Sequence, residues 1–336
     1  MFEELSKFLS DKKKNSDNIV THIIYDKTSP YRGSYNINKT FLPNLYDIIN
    51  DITKNDGNVS ILERVGEICP LIIDLDFKYI EKITQRQYTD NMIDKLCIYI
   101  FKKINELYDL SNINIQSEAW VMVKESISEC DRKPYVMKDG IHILFPNIVA
   151  EKATYIKLIE SIINDKDTVM KLFNDTCISI PSNPINEIFD TAIYKPGNWF
   201  IYGTGKPNDL IYKLTSIYKI NEKCSAMLPI ELYLENPREI MNKNSVQLHN
   251  TINVTYKGPE ILKKKPIINV NTSSSFDCID NIENMANYVK IKKEELSYAR
   301  ALANILSGER ASDCKTWIDV GYCLHSISPN DLLNSW

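Results

Sequence analysis

The segment Pro70–Phe77, PLIIDLDF, constrains the fold more than any other stretch of this sequence. It is a short apolar run opened by a proline, the pattern of a buried strand. Along a strand, residues i and i+2 project from the same face, so Asp74 and Asp76 point the same way. Two unpaired carboxylates side by side on a largely buried strand are costly. A divalent cation resolves that conflict, and so does a solvent-exposed strand end. The motif alone leaves both readings open.

Around this strand the hydrophobic pattern predicts an α+β order. Short strands are expected at Thr21–Tyr25 and Arg32–Ile37, with a helix over Phe41–Thr53. Gln87–Tyr108 carries Ile93, Leu96, Ile100, Ile104 and Leu107 at the 3–4 spacing of an amphipathic helix. Glu118–Lys124 and Gly140–Phe145 read as strands, and Ala153–Ile163 and Val169–Phe173 as helices. Further strands are expected at Ala192–Tyr194, Trp199–Tyr202 and Leu210–Ile220. That order implies an open sheet with helices packed against it. From Asn250 to Val289 the periodicity fades, and Lys263–Lys265 and Ser273–Ser275 fall there, so this stretch reads as a linker. Helical pattern returns at Lys293–Leu306 and Cys314–His325, and Ser328-Pro329 opens a third helix. That helix stops at Trp336 on a half-built apolar face, so the natural chain is expected to continue.

Composition narrows the class. The 336 residues give room for roughly two domains. A net charge of −4 and a pI near 5.7 mean that any basic binding surface is local. Only 10 Gly and 14 Pro argue against glycine-rich cofactor folds and flexible low-complexity linkers. The eight cysteines are scattered without C-x-x-C spacing, and no secretory signal or ~18-residue apolar run is present. A reduced, intracellular, non-membrane protein with structural thiols is expected. Cys314, Cys323 and His325 have a spacing that suits no common zinc finger.

Four further features carry chemistry. Lys138-Asp139-Gly140-Ile141-His142 runs into the strand Ile141–Phe145, with His142 alternating among apolar neighbours. A histidine hydrogen-bonded at a strand start and a ligand-binding histidine are both consistent with that pattern. Asp190, closing NEIFD, is either a functional acid or a helix or turn cap. The segment Asn198–Pro207, NWFIYGTGKP, is not a Walker A loop, because Phe200 and Pro207 stand where Gly and Ser or Thr are required. It still presents Lys206 on a small-residue turn, where a phosphate can meet it.

The order of these features resembles the archaeo-eukaryotic primase superfamily. That family pairs two acids on one strand with a Ser-x-His or Gly-x-His strand and a third acid further on. The segments PLIIDLDF, KDGIHILFP and FDTAIYKPGNWFIYGTGKP are similar to the primase part of poxvirus- and mimivirus-type primase–helicases. The block ARALANILSGERASDCKTWIDVGYCLH is similar to the small helical domain that follows it, and a helicase domain normally comes next. Two departures stand out: Gly140 replaces a serine found in many relatives, and Phe200 stands where some carry an arginine.

The resemblance implies a primase core over residues 1–249, an RRM-like sheet with an N-terminal α/β unit. A linker over 250–289 and a helical domain over 290–336 would follow. It further implies template-directed nucleotidyl transfer on single-stranded DNA with nucleoside triphosphates. Asp74, Asp76 and Asp190 would hold two Mg²⁺ or Mn²⁺ ions. His142, Lys138 and Lys206 would contact the triphosphate, with Arg32 beside Tyr35 as a further candidate. The helicase domain of the same polypeptide would be a partner, and the host cytoplasm the expected location. Two rival functions are a catalytically silent DNA-binding module of a helicase and a D-x-D glycosyltransferase. The second leaves His142, Asp190 and the C-terminal helices without a role.

Overall fold

The computed structural model describes residues 2–13, 19–55, 57–112, 117–195, 197–221 and 224–259. All belong to the first of two compact units of the chain, Met1–Lys263. The helices expected at Lys293–Leu306 and Cys314–His325, the lysine run 263–265 and the serines 273–275 lie outside the described residues.

The chain opens with α1 (Phe2–Ser10), β1 (His22–Ile24), β2 (Gly33–Tyr35), α2 (Leu42–Lys54) and β3 (Ile61–Arg64). The long strand β4 (Ile68–Tyr79) leads to α3 (Asp90–Leu107), β5 (Tyr108–Asp109), β6 (Ser117–Lys124), β7 (Ser128–Glu129) and β8 (Met137–Glu151). Next come α4 (Lys152–Asn164), α5 (Lys166–Thr176), α6 (Ile185–Ile188), β9 (Phe189–Asp190) and β10 (Asn198–Phe200). The unit ends with β11 (Tyr212–Ile220), β12 (Ser225–Leu228), α7 (Glu231–Leu234), α8 (Pro237–Asn244) and β13 (Thr255–Tyr256).

Two antiparallel sheets organise these elements. The larger has the order β12-β11-β6-β8-β4-β9, with β7 pairing onto β8. The smaller has the order β10-β3-β1-β2. Period-2 alternation gives β4 two different faces. Ile73, Leu75 and Phe77 are buried at 1% exposure or less beside Ile141 and Ile143 of β8. On that face lie the apolar residues of α3, with Met92, Ile93, Leu96, Ile100 and Ile104 all buried. Thr89 starts α3 by accepting the Met92 N–H, an N-cap bond. Phe77 packs edge-on to Phe173 of α5, with ring centroids 5.9 Å apart. A second core, under the smaller sheet, joins α1 and α2 to Ile24, Ile61, Ile201 and Met241.

The free edge of β4 is satisfied largely by side chains, because β9 pairs only with Asp74 and Leu75. Tyr194 Oη accepts the Ile72 N–H and donates to the Ile72 carbonyl, both at 2.7 Å. Asn183 accepts the Lys78 N–H and donates to the Asp76 carbonyl, both at 2.9 Å.

Two expectations are corrected. Ala192–Tyr194 is a 3₁₀ turn rather than a strand, because Asp190 Oδ1 accepts the Ala192 N–H at 2.7 Å and the Tyr194 N–H closes back on Thr191. Residues 250–259, the described part of the expected linker, are packed rather than free. Asn253 Oδ1 accepts the Val149 N–H at 2.8 Å, Val254 is buried, and β13 pairs with β5. The strand Ile61–Arg64 and the helix Phe2–Ser10 were missed, although Phe2, Leu5, Phe8 and Leu9 stand at helical spacing.

Candidate functional site

The register of the larger sheet builds the site. Asp74 pairs with His142 of β8 on one side and with Asp190 of β9 on the other. Asp76 pairs with Gly140, Lys78 with Lys138, and His142 with Met122 of β6. Lys124 of β6 pairs with Tyr212 of β11. Directly paired residues share a face. Asp74, Asp76, Asp190, His142, Lys138, Lys124 and Tyr212 therefore all lie on the face away from α3. They line a cleft of about 650 Å³, walled on its far side by Asn198 and Phe200 of β10 and closed by the turn bearing Lys206. At Gly203 the chain takes φ +84°, a left-handed conformation that glycine adopts without strain, and so swings back to present Lys206.

The electrostatics follow from the burial of like charges. Burial raises the Asp74 carboxyl well above its usual range, and Asp76 and Asp190 push it the same way. Burial also raises Asp76, with Lys78 acting in opposition. Burial pushes the His142 imidazole down to about 3, helped by Lys124 and Lys206, so it is neutral at physiological pH. Its Nε2 stands 3.5 Å from Asp74 Oδ1, a polar contact of a neutral ring rather than an ion pair. The ring is held between Trp199, at a centroid distance of 4.3 Å, and Tyr212, stacked at 3.5 Å. Lys124 is ion-paired with Asp209 at 2.8 Å. Asp139, buried below the cleft, accepts Arg86 Nε and the Gly140 N–H, both at 2.9 Å, and so fixes the start of the histidine strand.

The carboxylates suit a hard divalent cation in charge and donor type. Among the described residues, no three His, Cys, Asp or Glu side chains close on a common cation position as they are placed. Asp190 spends one oxygen on the Ala192 N–H. The fit lies in the backbone register and in the repulsion on Asp74 that Lys206 and Lys124 relieve only in part, which further positive charge at that face would remove.

Six of the seven expected site residues come together: Asp74, Asp76, Asp190, His142, Lys138 and Lys206. Arg32 does not. It is an exposed residue just before β2, at the edge of the smaller sheet opposite to β10, and β10 is the edge that borders the cleft. Lys124, Trp199, Asp209 and Tyr212 were missed. Lys124 ends the strand EAWVMVK in phase with Met122, which alternation could have revealed. Nothing in the sequence separates Tyr212 from the other 18 tyrosines.

Comparisons with known proteins identify the family. The family model described as "C962R protein N-terminal AEP domain" matches residues 21–218, a span holding all seven expected positions. The chain is 27% identical to "Putative helicase L207/L206" of Acanthamoeba polyphaga mimivirus, over 100% of this chain and 36% of that protein. It is 22% identical to "Putative helicase 184R" of Invertebrate iridescent virus 6, over 94% of this chain and 34% of that protein. It is 21% identical to "Putative primase C962R" of African swine fever virus, over 97% and 31% respectively. The chain thus spans about a third of the length of these curated relatives. No helix among the described residues is long and apolar enough to cross a membrane. With a family match over more than half its length, the chain belongs to the viral archaeo-eukaryotic primase (AEP) family of primase–helicases.

Proposed function

We propose that this chain is a DNA primase or primase-polymerase, joining nucleotides on a single-stranded DNA template during viral replication inside the host cell. The observation that carries the reading is the β9–β4–β8 register, which sets Asp190, Asp74 and His142 in one row above a lysine-lined cleft. The larger antiparallel sheet, with α3 on the face opposite the cleft, supports reading it as the RRM-like part of a primase core.

Asp74, Asp76 and Asp190 are the residues that would hold Mg²⁺ or Mn²⁺. Bound there, such ions supply Lewis-acid stabilisation of an attacking 3′-hydroxyl and of departing pyrophosphate. The protein's own groups do the rest. Lys138 and Lys206 bring positive charge to the triphosphate, and Lys124 reaches the same cleft while anchored by Asp209. A neutral His142 can donate an N–H to a phosphate oxygen without titrating near neutral pH. The two rings that clamp it hold that donor in one orientation before substrate arrives.

Two of the relatives are named as helicases, which favours a second reading: a DNA-binding module that serves a helicase of the same polypeptide without doing chemistry. A row of mutually repelling aspartates costs stability and has no use in such a module. Incubation with unprimed single-stranded DNA, labelled nucleoside triphosphates and Mn²⁺ or Mg²⁺, with products sized on a gel, separates the two. Primers made by the wild type and lost in the Asp74→Ala/Asp76→Ala double variant support the enzyme. DNA binding without synthesis in either protein supports the module.

A further inference from the structure

The roles assigned so far give Tyr212 only a ring to stack on His142, yet the placement of its hydroxyl is the more demanding feature. Tyr212 opens β11 opposite Lys124, and its ring lies 16° from parallel with the imidazole. The far end of the ring reaches over Gly140, the residue paired with Asp76. A Cβ on residue 140 would overlap the Tyr212 hydroxyl oxygen and would also meet the Leu75 carbonyl oxygen at 3.0 Å. Gly140 is buried within a continuous ladder and needs no unusual backbone angle, so glycine is required there for space. The volume that a side chain on β8 would fill is taken by a hydroxyl arriving from β11.

A stack on His142 does not need that hydroxyl, since a phenylalanine ring would serve. Among the described residues nothing is hydrogen-bonded to it. Asp74, Asp76 and Asp139 all act on it electrostatically, and Lys124 Nζ stands 5.3 Å from the ring centroid. An unpartnered O–H in a lysine-lined cleft beside the acidic row is a donor waiting for an anionic oxygen.

We propose that Tyr212 donates its hydroxyl to a phosphate oxygen of the nucleoside triphosphate, and that Gly140 is the space that admits it. This rests on the nucleotidyl-transfer reading of the cleft. Tyr212 and Gly140 then form one device spread over two strands. A hydroxyl on either residue can serve, but the two side chains cannot occupy the site together.

The test uses four proteins: wild type, Tyr212→Phe, Gly140→Ser and the double variant Gly140→Ser/Tyr212→Phe. Each is titrated with dATP and ATP in Mn²⁺ and is melted without nucleotide. Tyr212→Phe is expected to bind triphosphate about ten-fold more weakly, the equivalent of about 1.4 kcal/mol, with an unchanged melting temperature because the stack remains. Gly140→Ser is expected to melt several degrees lower. The double variant is expected to regain affinity and part of the melting temperature, because phenylalanine vacates the hydroxyl's space and serine returns a hydroxyl to the same face, while the contact with the Leu75 carbonyl remains. Unfolded-state effects of replacing glycine are the same in both backgrounds and cancel in the comparison. Wild-type affinity in Tyr212→Phe, or a loss there that the double variant does not recover, overturns the phosphate contact. Equal melting of Gly140→Ser in both backgrounds overturns the spatial coupling. A wild-type protein that binds no triphosphate overturns the nucleotidyl-transfer reading itself, while the melting comparison still decides the coupling.

Discussion

Replacing Asp74 by asparagine should stabilise the cation-free protein. Asp74 faces Asp190 across a strand pair and Asp76 two residues along its own strand. Such neighbours have Cβ atoms ~5 Å and ~7 Å apart respectively. With an effective dielectric between ~20 and ~80, each repulsion is about 0.6–3.3 kcal/mol. Lys124 and Lys206 offset part of it, leaving a net gain of roughly 1–2 kcal/mol for the neutral isostere. In a unit of this size that is a rise of about 2–4 °C in melting temperature. The pH dependence has a definite sign. The Asp74 carboxyl is raised in the folded state, so the folded protein binds more protons than the unfolded chain above pH ~3.9, and wild-type stability falls as pH rises through that window. The advantage of Asp74→Asn therefore grows as pH rises and vanishes toward pH 4. Differential scanning fluorimetry in EDTA across that range measures it directly. Added Mn²⁺ should then raise the melting temperature of the wild type but not of the variant. A variant less stable than wild type at pH 8 in EDTA, or an equal Mn²⁺ shift in both, would refute the picture of a partly compensated anionic row.

Two further outcomes follow from the same geometry. The folded protein keeps His142 neutral down to about pH 3 while the unfolded chain protonates it below ~6.5, so this group contributes stability that is lost as pH falls between those values. His142→Gln should remove that part of the acid lability. It should also weaken triphosphate binding with Mn²⁺ affinity roughly kept, as calorimetric titration would show, and the reverse pattern would make His142 a metal ligand. Tyr194→Phe strips both partners from the Ile72 peptide group on the edge of β4. Urea unfolding should register a loss of about 2–4 kcal/mol, and a loss below about 0.5 kcal/mol would mean that the edge finds other partners.

Long-period features were legible in the sequence and short or tertiary ones were not. The α3 stripe and the strands β4, β6 and β8 each carry enough residues for their periodicity to declare a face. The two-residue strand β9 has no periodicity at all, and Asp190 reaches the acidic row only because β9 pairs with β4. Its turn-cap role and its place in that row both hold, since one oxygen caps the turn while the residue stays beside Asp74. Arg32 lies away from the cleft because its place before β2 does not fix which sheet edge meets the cleft. Tyr212 was invisible because its significance depends on an absent side chain, that of Gly140, on a different strand.

The strand order of the smaller sheet bears on how the protein is made. Its edge strand β10 pairs with β3 about 136 residues earlier in the chain, a closure that is entropically demanding and slow. The core beneath that sheet also needs Ile201 and Met241. During synthesis, the first 64 residues can therefore emerge long before they can complete a sheet, and their apolar faces wait for the chain to return. The same returning segment carries Asn198, Trp199 and Phe200, the wall of the cleft and one of the two rings that clamp His142. Translation past residue 200 thus supplies the last strand of the N-terminal sheet and the β10 wall of the cleft together, while the turn bearing Lys206 and the β11 residue Tyr212 follow it.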